Sequence, residues 1–112
     1  MITNLADLAG MLGPSPRQIV IPDAVNARLN ECGLTMVQTC SAAPEQYDVF
    51  KDGKPAGYLR VRWSGFTVDF PTASDECLYD DSVDGFAAFS DAEREPKMLM
   101  AVDLILARLA RA

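Results

Sequence analysis

The stretch that most restricts the fold of this chain is Gly57 to Pro71, GYLRVRWSGFTVDFP. Apolar and polar residues alternate through it on either side of a Ser-Gly pair. Side chains of an extended strand point alternately to opposite faces, so the pattern predicts a hairpin with one buried face and one wet face. A two-residue loop at Ser64 and Gly65 sets Trp63 opposite Phe66, Val61 opposite Val68 and Leu59 opposite Phe70 on the buried face. The other face pairs Arg62 with Thr67 and Arg60 with Asp69. The arginines then stand where a half-buried sheet carries its solvated residues. With Tyr58 and Phe50 they also make a candidate contact surface.

The same period of two begins upstream in QYDVFKDGK. A three-residue loop of Lys51, Asp52 and Gly53 puts Gly53 in the left-handed position and brings Tyr47 and Val49 onto the face of Leu59, Val61 and Trp63. LTMVQTC reads as a strand before this hairpin and ECLYD as a short strand after it. Residues 1–33 read as helical. Leu5, Leu8, Ala9 and Leu12 form one apolar stripe ending at Gly13, and a second helix has Pro22 in its first turn, with Val25, Leu29 and Cys32 inward and Gly33 as its stop.

The last element is a helix over residues 90–111, opened by Ser90 and Glu93 at capping-box spacing, with Pro96 marking either a kink or the true start. Met98, Leu99, Val102, Ile105, Leu106 and Leu109 fill its core-facing arc. Met100 and Leu104 fall outside that arc, as a surface for the N-terminal helices, for a homodimer or for another partner. The expected fold is α+β and a single domain. It has two short N-terminal helices, an antiparallel sheet of four or five strands over residues 34–80, and a C-terminal helix packed on one face.

At 112 residues, 49% hydrophobic and 23% charged, the chain suffices for one core. Ten Lys plus Arg against sixteen Asp plus Glu leave a net charge of -6, which disfavours polyanions and anionic membranes as partners and favours a basic protein surface. Three cysteines without C-x-x-C spacing indicate neither a disulfide framework nor a zinc knuckle, and a reducing cytoplasmic setting is expected. No apolar run approaches ~18 residues, so no membrane span is expected. Histidine is absent, which removes the usual general base and the Ser-His and Cys-His pairings. With no glycine-rich phosphate loop either, neither an enzyme nor a cofactor is expected.

Charge is unevenly spread. From Trp63 to Glu93 there is no Lys or Arg, yet Asp69, Asp75, Glu76, Asp80, Asp81, Asp84, Asp91 and Glu93 supply half of the chain's acids. Such a run serves either as a solvated loop face or as an electrostatic docking surface for a basic groove. Within it, Asp80, Ser82, Asp84, Gly85 and Asp91 partly match a calcium loop, although Asp91 is shorter than the usual bidentate Glu and the lead-in reads as a strand. A second partial pattern, Ala9, Gly13, Ser15 and Ile19 in LADLAGMLGPSPRQI, has helix-turn-helix spacing with Ser15, Arg17 and Gln18 opening the recognition helix. Three prolines crowd it, and Arg17 and Arg28 are the only basic residues in the first fifty, which argues against unaided DNA binding.

The span YDVFKDGKPAGYLRVRWSGFTVDFP, followed by DGFAAFSDAERE, resembles short, mostly uncharacterised bacterial and phage proteins. These share a Gly-Tyr-Leu-Arg-x-Arg strand, a second strand ending in proline and a Gly-x-Phe lead-in to a C-terminal helix. The resemblance covers roughly the last two thirds of the chain. By analogy of size and charge with phage inhibitors of bacterial defence, including anti-CRISPR proteins, it implies an acidic protein-binding module that occupies a nucleic-acid-binding surface. The expected contact residues are Asp75, Glu76, Asp80, Asp81 and Asp84, with Met100 and Leu104 and the Tyr58, Arg60 and Arg62 face. The alternative is a DNA-binding regulator containing the helix-turn-helix.

Overall fold

The computed structural model describes residues 19–40 and 43–111. Its elements run α1 (Asp23–Cys32), β1 (Leu34–Gln38), β2 (Glu45–Lys51), β3 (Lys54–Arg62), β4 (Gly65–Phe70), β5 (Glu76–Ser82) and α2 (Asp91–Ala110). The five strands form one antiparallel sheet in the order β1-β2-β3-β4-β5, each beside its neighbour in sequence. This is the α+β architecture expected. The helix expected over Leu5 to Leu12, and most of the helix-turn-helix pattern with Arg17, lie outside the described residues.

Turn chemistry fixes the register. Lys51 pairs with Lys54, so the first hairpin closes on two residues, Asp52 and Gly53. Both have positive φ, 52° and 77°, as a primed hairpin turn requires and as Asp-Gly readily adopts. This loop is one residue shorter than expected. A bulge between Val49 and Phe50, where Ala56 has no partner, restores the expected parity, and Tyr47 meets Leu59 and Val49 meets Gly57.

The second hairpin corrects the expected register. Arg62 pairs with Gly65, Val61 with Phe66, Arg60 with Thr67, Leu59 with Val68 and Tyr58 with Asp69. The loop residues are therefore Trp63 and Ser64, at φ 56° and 57°, rather than Ser64 and Gly65. Trp63 leaves the strand and is 67% exposed, and Arg60 faces Thr67 instead of Asp69. The displacement is two residues, which preserves parity, so alternation cannot distinguish the two registers. Contacts remote in sequence decide it: Ser64 N donates to Phe86 O at 2.8 Å, and Val83 N donates to Ser64 O at 2.9 Å.

One face of the sheet carries the core. Tyr47, Val49, Leu59, Val61, Phe66 and Val68 are almost completely buried there, beneath Met98, Ala101, Val102 and Ile105 of α2 and Val25 and Leu29 of α1. Each large side chain so enclosed contributes about 1.5–3 kcal/mol of transfer free energy. Gly57 makes the close seating of α2 possible, because a Cβ there would stand 2.5 Å from Ile105 Cδ1.

Both helix termini follow the sequence signals. Gly33 ends α1 at φ 73°. Ser90 and Glu93 form the capping box that starts α2 at Asp91, and the helix continues through Pro96. No helix among the described residues is long and apolar enough to cross a membrane.

Candidate functional site: an acidic edge and an aromatic corner

Among the described residues β5 lies at the edge of the sheet, with β4 on one side and no strand on the other. Asp75, Glu76, Asp80, Asp81 and Asp84, along it or just beyond its ends, are all exposed. Strand alternation divides them between the faces, since Asp81 pairs with the inward Phe66 and Asp80 with Thr67. Several of these acids have local partners. Glu76 accepts from Arg108 Nε at 2.9 Å, and that guanidinium holds its carboxyl below the ordinary range. Asp75 accepts from the Thr72 hydroxyl, and Asp81 accepts from Ser82 N at 2.8 Å and Tyr79 Oη at 3.2 Å. Asp80 and Ser82 belong to β5 itself, so the spacing that resembled a calcium loop is partly laid out as strand. Among the described residues no group of three or more His, Cys, Asp or Glu is placed to hold a metal ion.

The outer face of the sheet carries the expected Tyr58, Arg60 and Arg62. Tyr58 is 9% exposed, with its hydroxyl donating to Gln46 Oε1 at 3.2 Å, so it supports the face more than it offers contact area. Arg60 is half-buried and Arg62 exposed. Among the described residues neither takes part in an ion pair. Met100 and Leu104 lie elsewhere, on α2, and both are half-buried. Met100 packs against the core.

A feature the sequence reading missed lies at the β3–β4 turn. Trp63 and Phe86, 67% and 61% exposed, meet edge to face with ring centroids 5.4 Å apart and planes at 81°. The Arg62 guanidinium carbon stands 5.2 Å from the Trp63 ring centre, within cation–π range. With Ala43, Pro44 and Ala87 these residues line an open groove of about 220 Å³.

Backbone hydrogen bonds hold the corner from three directions. Besides the two bonds at Ser64, Glu45 N donates to Ala87 O at 2.7 Å. A Cβ at Gly85 would fall 1.6 Å from the Ala88 carbonyl oxygen, so the tight loop that presents Phe86 requires glycine at that position. Glu93 accepts from the amides of Asp84 at 2.9 Å, Gly85 at 2.9 Å and Ser90 at 2.7 Å. Partial burial opposes the Glu93 charge, but these amides outweigh it and hold the carboxyl down at about 2.

Beneath this loop lies a second feature the sequence reading missed. Glu45 has no exposed surface. It accepts from Tyr47 Oη at 2.5 Å, Phe89 N at 3.0 Å, and Arg94 Nε and a terminal Arg94 nitrogen at 3.0 and 3.2 Å. Arg94 also donates to Asp91 at 2.8 Å and to Phe89 O at 2.9 Å. Burial and the Glu45 carboxylate push the Tyr47 hydroxyl upward. Burial works against the Arg94 charge, but the hydrogen bonds to Glu45 and Asp91 prevail and raise it. A signal for Glu45 was present in the sequence: it shares strand parity with Tyr47 and Val49, which puts a carboxylate on the apolar face. No family model, curated protein or solved structure matches this chain.

Proposed function

We propose that the protein is a non-enzymatic binding module that presents the acidic β5 edge to a basic surface of a partner protein. The reading rests on the exposure of Asp75, Glu76, Asp80, Asp81 and Asp84 along one sheet edge. Like charges on an edge strand repel a second copy and so protect the edge from self-pairing. The same charges attract cations, speed encounter and favour a basic partner over a neutral one. The most concrete form is an inhibitor of the phage type that covers a nucleic-acid-binding surface.

A labelled oligolysine peptide, titrated by fluorescence anisotropy, tests the electrostatic mechanism. Affinity should fall by about tenfold or more between roughly 50 and 200 mM salt. The triple variant Asp80→Asn, Asp81→Asn, Asp84→Asn should lose most of the low-salt binding while melting like the parent. Binding that is indifferent to salt and to these three substitutions sinks the proposal.

A further inference from the structure

The Trp63 corner carries an inference that does not depend on the acidic edge. Folding gives no account of the indole. It is two-thirds solvent-exposed and its φ of 56° lies in a region that bulky residues disfavour and Gly, Asn or Asp accept. A turn selected for stability alone would carry one of those residues. Trp63 is nevertheless held firmly, because the flanking backbone is laced to Phe86 and Val83 and the Phe86 loop is anchored by Glu93. An exposed, preorganised aromatic pair beside an arginine has the composition of binding hot spots.

We infer that the groove of Arg62, Trp63 and Phe86 is a recognition site for an extended, proline-bearing acidic segment of a partner protein. Two ring faces at 81°, closed off by Ala43, Pro44 and Ala87, form an apolar corner that receives a compact saturated ring. Proline supplies that ring, and a polyproline helix loses little entropy on docking and keeps its backbone solvated. Charge selects the neighbouring residues. Among the described residues Arg62 is the one charged residue lining the groove, and Arg60 lies about 7 Å further along the same strand face. Among the described residues neither is in an ion pair, so both are available to carboxylates on the docked segment. Single-stranded nucleic acid also stacks on aromatics. Two arginines suit a segment carrying one or two carboxylates and fall short of the run of phosphate contacts on which nucleic-acid affinity depends.

The test uses the protein's own reporter, since Trp63 is its sole tryptophan. A peptide of alternating proline and glutamate should produce a saturable blue shift of the indole emission, complete by about millimolar concentration. A proline–lysine peptide should not. Arg62→Glu and Phe86→Ala, read by anisotropy of the labelled proline–glutamate peptide, should each weaken binding by about tenfold or more. Arg62→Glu changes an exposed side chain, so its melting midpoint should stay with the parent even if Phe86→Ala perturbs the loop. No shift at millimolar peptide overturns the inference. So does an equal response to a glycine–glutamate peptide, full binding by Arg62→Glu, or a shift driven by oligothymidine, which would assign the groove to nucleic acid.

Discussion

Glu45 and Trp63 depart from the usual distribution of side chains in opposite directions. The first is a carboxylate with no exposed surface and the second an indole 67% exposed. The inward departure is answered atom by atom: both Glu45 oxygens have donors, and among the described residues no buried side-chain nitrogen or oxygen lacks a partner. The outward departure is met by a ring contact with Phe86 and by the Arg62 guanidinium. A buried charge matched this fully is explained by the fold it holds together. An exposed indole matched this sparingly is the feature for which the proposed docking site would account.

The largest test of that contrast is Arg94→Ala. It strips the fully buried Glu45 of its counter-charge and should cost about 3–5 kcal/mol in urea unfolding. Trp63→Ala should change stability by about 0.5 kcal/mol or less. Equal losses at the two positions would erase the distinction drawn between them.

Next in size is Glu93→Gln, which removes the anionic acceptor beneath the Phe86 loop and should cost about 2 kcal/mol at neutral pH. The folded-state value of about 2 lies below the ordinary 4.5. Its stabilisation is therefore fully present above pH 4.5 and is lost as pH falls from there towards 2. Thermal melts over that interval should show a shallower acid limb in Glu93→Gln than in the parent. An unchanged slope would mean that Glu93 does not anchor the loop.

The smallest effect has the opposite sign. Trp63→Asn suits the left-handed turn and should raise stability by about 0.5–1 kcal/mol while abolishing peptide binding. Destabilisation by this substitution would show that the indole serves the fold after all.

Alternation and turn residues made most of the sheet legible in the sequence. Val61, Leu59, Tyr47 and Val49 face inward as period two dictates, and Gly33 and Ser90 mark helix boundaries where their chemistry predicts. Hairpin register was not legible. Ser64-Gly65 looks like the better loop, and a two-residue slip leaves every face unchanged. The bonds from Ser64 to Phe86 and Val83 settled it, and local pattern does not encode them. The acidic edge was visible as composition, although Arg108 neutralising Glu76 was not. The aromatic corner is not legible because period two places Trp63 on the core face and Phe86 lies within a run of acids far along the chain.

The strand order β1-β2-β3-β4-β5 has a kinetic consequence. Every pairing joins neighbours along the chain, so the sheet can zip hairpin by hairpin with short loops to close at each step. The bond from Arg94 to Glu45 spans 49 residues and must wait for α2 to arrive. A clasp that closes after the folding barrier should, when weakened, hasten unfolding far more than it slows refolding, and a chevron of Arg94→Ala reads this directly.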